Sequence, residues 1–141
     1  MCADKKIIMI TGATRGIGFA AAQLLGSRDA TVVIGSRDRE RAESAASKLG
    51  CHFVQLDICD QRSVNSAATL LTERFGRLDV LVNNSAILLD HYASLLDLKP
   101  EVLCETLETN LIGTLRVTQA FLSLLQQSPS PRIINLSSGA G

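Results

Sequence analysis

The sequence contains no tryptophan and one tyrosine, and aromatic residues make up only 4% of its 141 positions. That poverty removes the stacking platforms on which single-stranded nucleic acid is commonly held. Neither sign of charge is in excess, because fourteen Lys and Arg balance fourteen Asp and Glu. A net charge of zero gives no bulk attraction toward a polyanion or an acidic bilayer surface. The four cysteines, Cys2, Cys51, Cys59 and Cys104, form no C-x-x-C pair and no spaced cluster with His52 and His91. A metal site is therefore not expected, and free thiols serving as small apolar fillers fit a reducing compartment. The apolar run after Lys5 and Lys6 extends only from Ile7 to Ile10, too short for a signal-peptide core or a bilayer span. The expectation is a cytoplasmic chain that engages neither nucleic acid nor membrane.

What is present is the composition of a packed protein: 46% hydrophobic, 20% charged, with a mean hydropathy of +0.21. The length suits one domain over residues 1–141, and no repeat, linker or low-complexity tract divides it. Short aliphatic runs alternate with helical patterns, as in a parallel sheet wrapped by crossover helices. Five strands are expected, near Lys6 to Thr11, Ala30 to Gly35, His52 to Leu56, Val80 to Asn83 and Arg132 to Leu136. Their nearly continuous apolar character suits strands covered on both faces. Apolar residues at helical spacing mark helices through Ile17 to Leu25 and Ala42 to Leu49. A third carries Val64, Ala67, Ala68, Leu71 and Phe75, with Asp60 placed to cap it and Gly76 to end it. The fourth and longest begins near Pro100 and runs unbroken through Leu103, Leu107, Leu111, Leu115, Thr118, Phe121, Leu122 and Leu125, until Pro129 and Pro131 break it.

The first strand leads into Thr11 to Gly18 (TGATRGIG), a glycine-rich turn that opens a helix. Gly12 permits a tight turn, Gly16 lets a pyrophosphate approach the backbone, and Gly18 lets helix and strand pack closely. The helix N-terminus adds unpaired N–H groups, so strand, turn and helix together favour a dinucleotide over turn glycines alone.

The G-x-x-x-G-x-G spacing, Asp57 after the third strand, Asn83 to Ala86 (NNSA) after the fourth, Asn110 in the long helix and Asn135 to Ser138 (NLSS) after the fifth resemble the classical short-chain dehydrogenase/reductase family. The resemblance implies a Rossmann-like doubly wound α/β sheet in strand order 3-2-1-4-5, with the family's later strands and helices missing from the chain. It implies a cofactor site formed by Thr11, Gly12, Thr14, Arg15, Gly16, Ile17, Gly18, Arg37, Asp57, Ile58, Asn84, Ser85 and Ala86, with Asp57 bonding the adenine. Ser36 stands where members preferring NAD carry an acid, and Arg15 with Arg37 resemble the basic pair that accepts a 2′-phosphate, so NADP(H) is favoured over NAD(H). Asp38 is adjacent and of opposite sign. Ser85 and Ala86 replace the commoner Ala and Gly of N-N-A-G, adding bulk beside the cofactor path.

By the same resemblance Ser138 polarises the substrate oxygen and Asn110 holds a water of the proton relay. Taken alone, Asn110 could be a buried polar residue bonding helix backbone, and Ser137 and Ser138 ordinary loop residues. The family's tyrosine, followed four residues later by lysine, is not found; Tyr92 is followed at that position by Leu96. The expected function is therefore the cofactor-binding portion of an NADP(H)-dependent oxidoreductase acting on a small carbonyl or alcohol, itself inactive. The alternative is a non-catalytic nucleotide-binding or partner protein. The segment Ile87 to Leu96, with His91 and Tyr92, is expected to line the cleft and hints at an apolar substrate. The homo-oligomer formed by intact family members is not expected here, and a bare fifth strand and uncovered long helix are.

Overall fold

The alternation of strand and helix patterns closes into a parallel sheet in a computed structural model, which describes residues 5–89, 94 and 96–137. The strands are β1 (Ile7–Thr11), β2 (Thr31–Ser36), β3 (His52–Gln55), β4 (Val80–Asn83) and β5 (Arg132–Asn135). All are parallel, in the order β3-β2-β1-β4-β5, which matches the expected winding. Every observed strand end lies within one residue of the expected one.

Side chains alternate across the strands and feed two cores. Ile8, Ile10, Val32, Ile34, Val80 and Val82 face α1 (Gly16–Gly26) and α2 (Arg39–Leu49) through Ala22, Ala45 and Ala46. Met9, Val33, Val54 and Leu81 face α3 (Gln61–Phe75) and α5 (Thr114–Gln126) through Val64, Leu71, Val117, Phe121 and Leu125. Phe121 and Met9 are 0% exposed, and full burial of such a side chain contributes about 1.5–3 kcal/mol. Asp60 caps α3 by accepting from the Arg62 N–H at 3.0 Å, and Gly76 ends it.

The long fourth helix is not continuous. It divides into α4 (Pro100–Leu107), a π-helical segment Glu108–Gly113 and α5. Asn110 and Gly113, both within the π-helical segment, reach loops at the carboxyl ends of the strands. Much of the long helix's apolar stripe is uncovered, as expected: Leu103, Leu107, Leu111, Leu115 and Leu122 are exposed, and the buried face is Val117, Phe121, Leu124 and Leu125. β5 is exposed along its length, Ile133 and Ile134 included, so two-sided cover holds for β1, β2 and β4 but not here.

At the amino ends of the strands one carboxylate ties the sheet together. Asp79 is 5% exposed; its Oδ2 accepts from the Ile7 N–H at 2.8 Å and its Oδ1 from the Ser128 hydroxyl at 2.6 Å. Its backbone N–H donates to the Ile7 carbonyl and its carbonyl accepts from Arg132, both at 2.9 Å. Burial pushes the Asp79 carboxyl upward, but the Ser128, Ile7 and Arg77 donors together hold it below the usual carboxylate range. Among the described residues no helix is long and apolar enough to cross a membrane.

Candidate functional site

The glycine turn forms where β1 delivers the chain at the open, carboxyl end of the sheet. Gly12 and Gly16 have φ of +66° and +60°, left-handed conformations that a side chain resists. The turn is braced from β4. Thr11 is 2% exposed, and its hydroxyl accepts from the backbone N–H groups of Asn84 and Ser85, both at 3.0 Å. Asn84 Nδ2 donates to the carbonyls of Thr11 and Gly12 at 2.9 and 3.1 Å. Thr11, Asn84 and Ser85 thus spend these polar groups on one another and build the floor of the turn. A methyl added at Gly12 would lie 2.8 Å from Ser85 Oγ.

Gly18 lies close against the strand ends. An ideal Cβ there would stand 2.5 Å from the amide of Asn84, just after β4, and 3.0 Å from Ala13 Cα, just past β1. Gly16 is the opposite case, with nothing within 4 Å of the added carbon. α1 begins there behind Arg15 with no side-chain cap, and Ile17 is 74% exposed. An uncapped helix start beside a bare glycine offers N–H donors and a favourable dipole to an anion.

Beyond this turn lies a cavity of about 520 Å³ bordered by Thr14, Arg15, Glu40, Arg41, Ser44 and Lys48, so one carboxylate stands among its basic groups. Arg15 and Arg37 are exposed, and neither guanidinium has a partner among the described residues. Asp38, whose charge opposes theirs, is committed elsewhere: it caps α2 through the Arg41 N–H at 3.0 Å and pairs with Arg41 Nε at 3.1 Å. Nothing in the linear pattern singled out Arg41, although an acid followed three residues later by an arginine at a helix start was the available signal.

Asp57 follows β3 and closes a local turn, its Oδ1 accepting from the Cys59 N–H at 3.0 Å while its own N–H donates to Ser63 Oγ at 2.9 Å. Ile58 is buried beneath the π-helical segment. Asn110 is exposed and does not bond its helix through its side chain. Instead Oδ1 accepts from the Ile87 N–H and Nδ2 donates to the Ile87 carbonyl, both at 2.9 Å, clamping the loop that follows Asn84, Ser85 and Ala86. Its carbonyl accepts from Thr114 Oγ1 at 3.0 Å.

Asn83 bridges β4, α5 and β5 by donating from Nδ2 to Thr118 Oγ1 at 3.2 Å and to Asn135 Oδ1 at 2.8 Å. Its own Oδ1 is buried with no donor among the described residues. Ser138, Tyr92 and His91 lie outside the described residues. No cluster of three or more His, Cys, Asp or Glu suited to a metal is found among the described residues.

Comparison with known proteins agrees with this geometry. The sequence model for the short chain dehydrogenase family matches residues 6–141. The (+)-neomenthol dehydrogenase of Capsicum annuum is 32% identical over 175 aligned residues, covering 94% of this chain and 56% of the relative. The 3-oxoacyl-[acyl-carrier-protein] reductase FabG of Aquifex aeolicus is 37% identical, covering 96% and 56%. The menthone neomenthol reductase structure from Mentha piperita superposes with a TM-score of 0.86 at 33% identity, covering 97% and 62%. An alcohol dehydrogenase from Thermococcus sibiricus, complexed with 5-hydroxy-NADP, gives 0.83 at 32%, covering 93% and 57%. The chain spans little more than half the length of the relatives it matches.

Proposed function

Since this chain belongs to the short-chain dehydrogenase/reductase family, we propose that its residues 1–141 form one dinucleotide-binding domain, the cofactor-holding portion of an NADP(H)-dependent oxidoreductase. The observation that carries the cofactor choice is the arrangement at the end of β2. Arg15 and Arg37 stand unpartnered beside the glycine turn, while the neighbouring acid, Asp38, is neutralised by Arg41. A 2′-phosphate meets two free guanidinium groups there and no free carboxylate from residue 38.

The residues fit the group. The open space over Gly16 and the uncapped start of α1 suit a pyrophosphate. Thr14, Gly16, Ile17 and Gly18 bind through this first turn, Arg15 and Arg37 hold the added phosphate, and Asp57 with Ile58 flank the adenine. When bound, the cofactor supplies or accepts a hydride. Asn110 fixes the Ile87 loop, which follows Ala86 along the cofactor path. Ser138, carried over by resemblance, polarises the substrate oxygen as charge develops on it. The substrate we assign is an apolar ketone or secondary alcohol, supported by exposed Leu88 and Leu89 after the clamped loop and by the neomenthol-directed relatives. The compartment we assign is the cytoplasm.

Tyr92, the single tyrosine, has Leu96 in place of a lysine at the fourth position. On that ground we assign cofactor binding rather than turnover to these residues. A second reading, a nucleotide binder without catalysis, is favoured by the same observation.

Fluorescence titration tests both. We expect saturable NADPH binding that Arg37→Ala weakens by about 10–100-fold, the worth of a charge-assisted contact, with NADH affinity little changed. Folded chain with no saturable NADPH binding overturns both readings; equal losses for the two nucleotides overturn the role of Arg37.

A further inference from the structure

We infer that Arg116 is a positioning residue that keeps the two cofactor-facing loops, 57–59 and 84–87, in register by bracing the π-helical segment between them; the cofactor-facing role of these loops rests on the function proposed above.

The guanidinium is largely buried, its side chain 16% exposed, and both of its ends are used. Nη1 donates to the Ile58 carbonyl at 2.7 Å, and Nη2 donates to Glu108 Oε1 at 2.8 Å. Glu108 is the first residue of the π-helical segment and Arg116 lies just beyond its last, Gly113. Residues eight apart on an α-helix are separated by about 12 Å along its axis, so this ion pair spans the widened turn instead of joining adjacent positions. The same guanidinium therefore fastens the segment to itself and to the 57–59 loop.

Two further contacts press segment and loop together. Gly113 packs so closely that an added Cβ would lie 2.9 Å from both Cγ1 and Cδ1 of Ile58. Cys59 Sγ and Thr109 Oγ1 are 3.4 Å apart. On its other side the segment holds the Ile87 backbone through both polar atoms of the Asn110 side chain. One short, irregular helical turn thus touches both loops, and a π-turn retains its register only while its neighbours hold it there. Release of Arg116 frees the segment to relax toward an ordinary α-helix, which rotates Asn110 away from Ile87.

The test uses the whole chain without ligand, followed by titration with 5′-AMP and NADPH. Native-state hydrogen exchange reads the Cys59 amide, bonded to Asp57, and the Ile87 amide, bonded to Asn110. In Arg116→Met we expect both amides to exchange about tenfold faster, as for loss of one hydrogen bond to a charged group, with β1 amides unchanged and 5′-AMP bound about tenfold more weakly. Arg116→Lys should restore part of the Ile87 protection. Acceleration at Cys59 alone would make Arg116 a local anchor and overturn the inference, as would a uniform acceleration that includes β1. Should Arg116→Met not fold, Glu108→Ala decides: faster exchange at Ile87 supports the brace, and unchanged exchange refutes it. If the unmodified chain binds no nucleotide, the proposed function fails, while the exchange measurements still decide the coupling of the loops.

Discussion

Alanine at Gly16 should separate binding from folding, because the two glycines of the turn are constrained by different things. At Gly16 the only structural penalty is the φ of +60°, since nothing lies within 4 Å of the added carbon. Left-handed backbone costs a non-glycine residue about 1–2 kcal/mol, which for a chain of this size lowers Tm by about 3–8 °C. The methyl nevertheless occupies the open space over Gly16 that the proposed function assigns to a pyrophosphate. Loss of even one hydrogen bond to a charged oxygen, about 1.5–3 kcal/mol, weakens NADPH binding by at least about tenfold. At Gly12 the φ is +66° and the added carbon also meets Ser85 at Oγ, Cα and N, at 2.8, 3.0 and 3.3 Å. Two of those atoms are backbone pinned by Thr11, so relief is poor, and overpacking adds about 1–3 kcal/mol to the strain. Gly12→Ala should therefore lose about 2–5 kcal/mol in total. Circular dichroism melts and NADPH fluorescence titration on both variants check the pair. The reasoning fails if Gly16→Ala binds NADPH as tightly as the unmodified chain, or if it is destabilised more than Gly12→Ala.

Other consequences concern the opposite end of the sheet and its edge. The folded-state pKa of Asp79 lies below its ordinary value of 3.8, so its stabilisation is complete above about pH 4 and disappears as pH falls through the folded pKa. Asp79→Asn should flatten that acid limb in urea melts taken from about pH 5 downward; an unchanged limb would show that another carboxylate is responsible. Asp79→Ala, which strands the Ile7 N–H and the Ser128 hydroxyl, should cost about 3–5 kcal/mol. His52 is held below its ordinary 6.5, first by burial and then by the Arg74 guanidinium, whose Nη2 lies 2.9 Å from Nδ1. Its stabilisation is present above the unfolded value and is lost as pH falls through the folded pKa. An NMR titration should place His52 below 6.5 and Arg74→Gln should raise it; a pKa at or above the ordinary value contradicts the assignment.

The strands, helix caps and the glycine turn were legible because each is written locally, whereas the order of the strands came from the family resemblance. Aliphatic runs define β1 to β4, Asp60 precedes its helix, and Gly12 sits where the chain must turn. The π-helical segment was not, because Leu103, Leu107, Leu111 and Leu115 continue a helical stripe across it. Their strict four-residue spacing was the available hint, since such a stripe drifts by about 40° per step on a regular α-helix. Arg116 was illegible for another reason: its partner Ile58 lies 58 positions away, and no periodicity reports a side chain reaching a distant carbonyl. Likewise Asp79 reads as an ordinary acid between a turn and a strand, and only the register of β1, β4 and β5 makes it a hub. The exposure of β5 was foreseen from the family resemblance and not from its own residues, whose apolar run by itself reads as a strand covered on both faces.

The carboxylate knot at Asp79 holds the strands where they begin, while the nucleotide-facing loops lie where they finish. Rigidity and chemistry are thereby placed at opposite poles of the sheet. Insertions or exchanges among the loops leave the anchorage untouched, so new specificities can be sampled on an unchanged scaffold, whereas a single change at the anchored pole is felt by three strands at once.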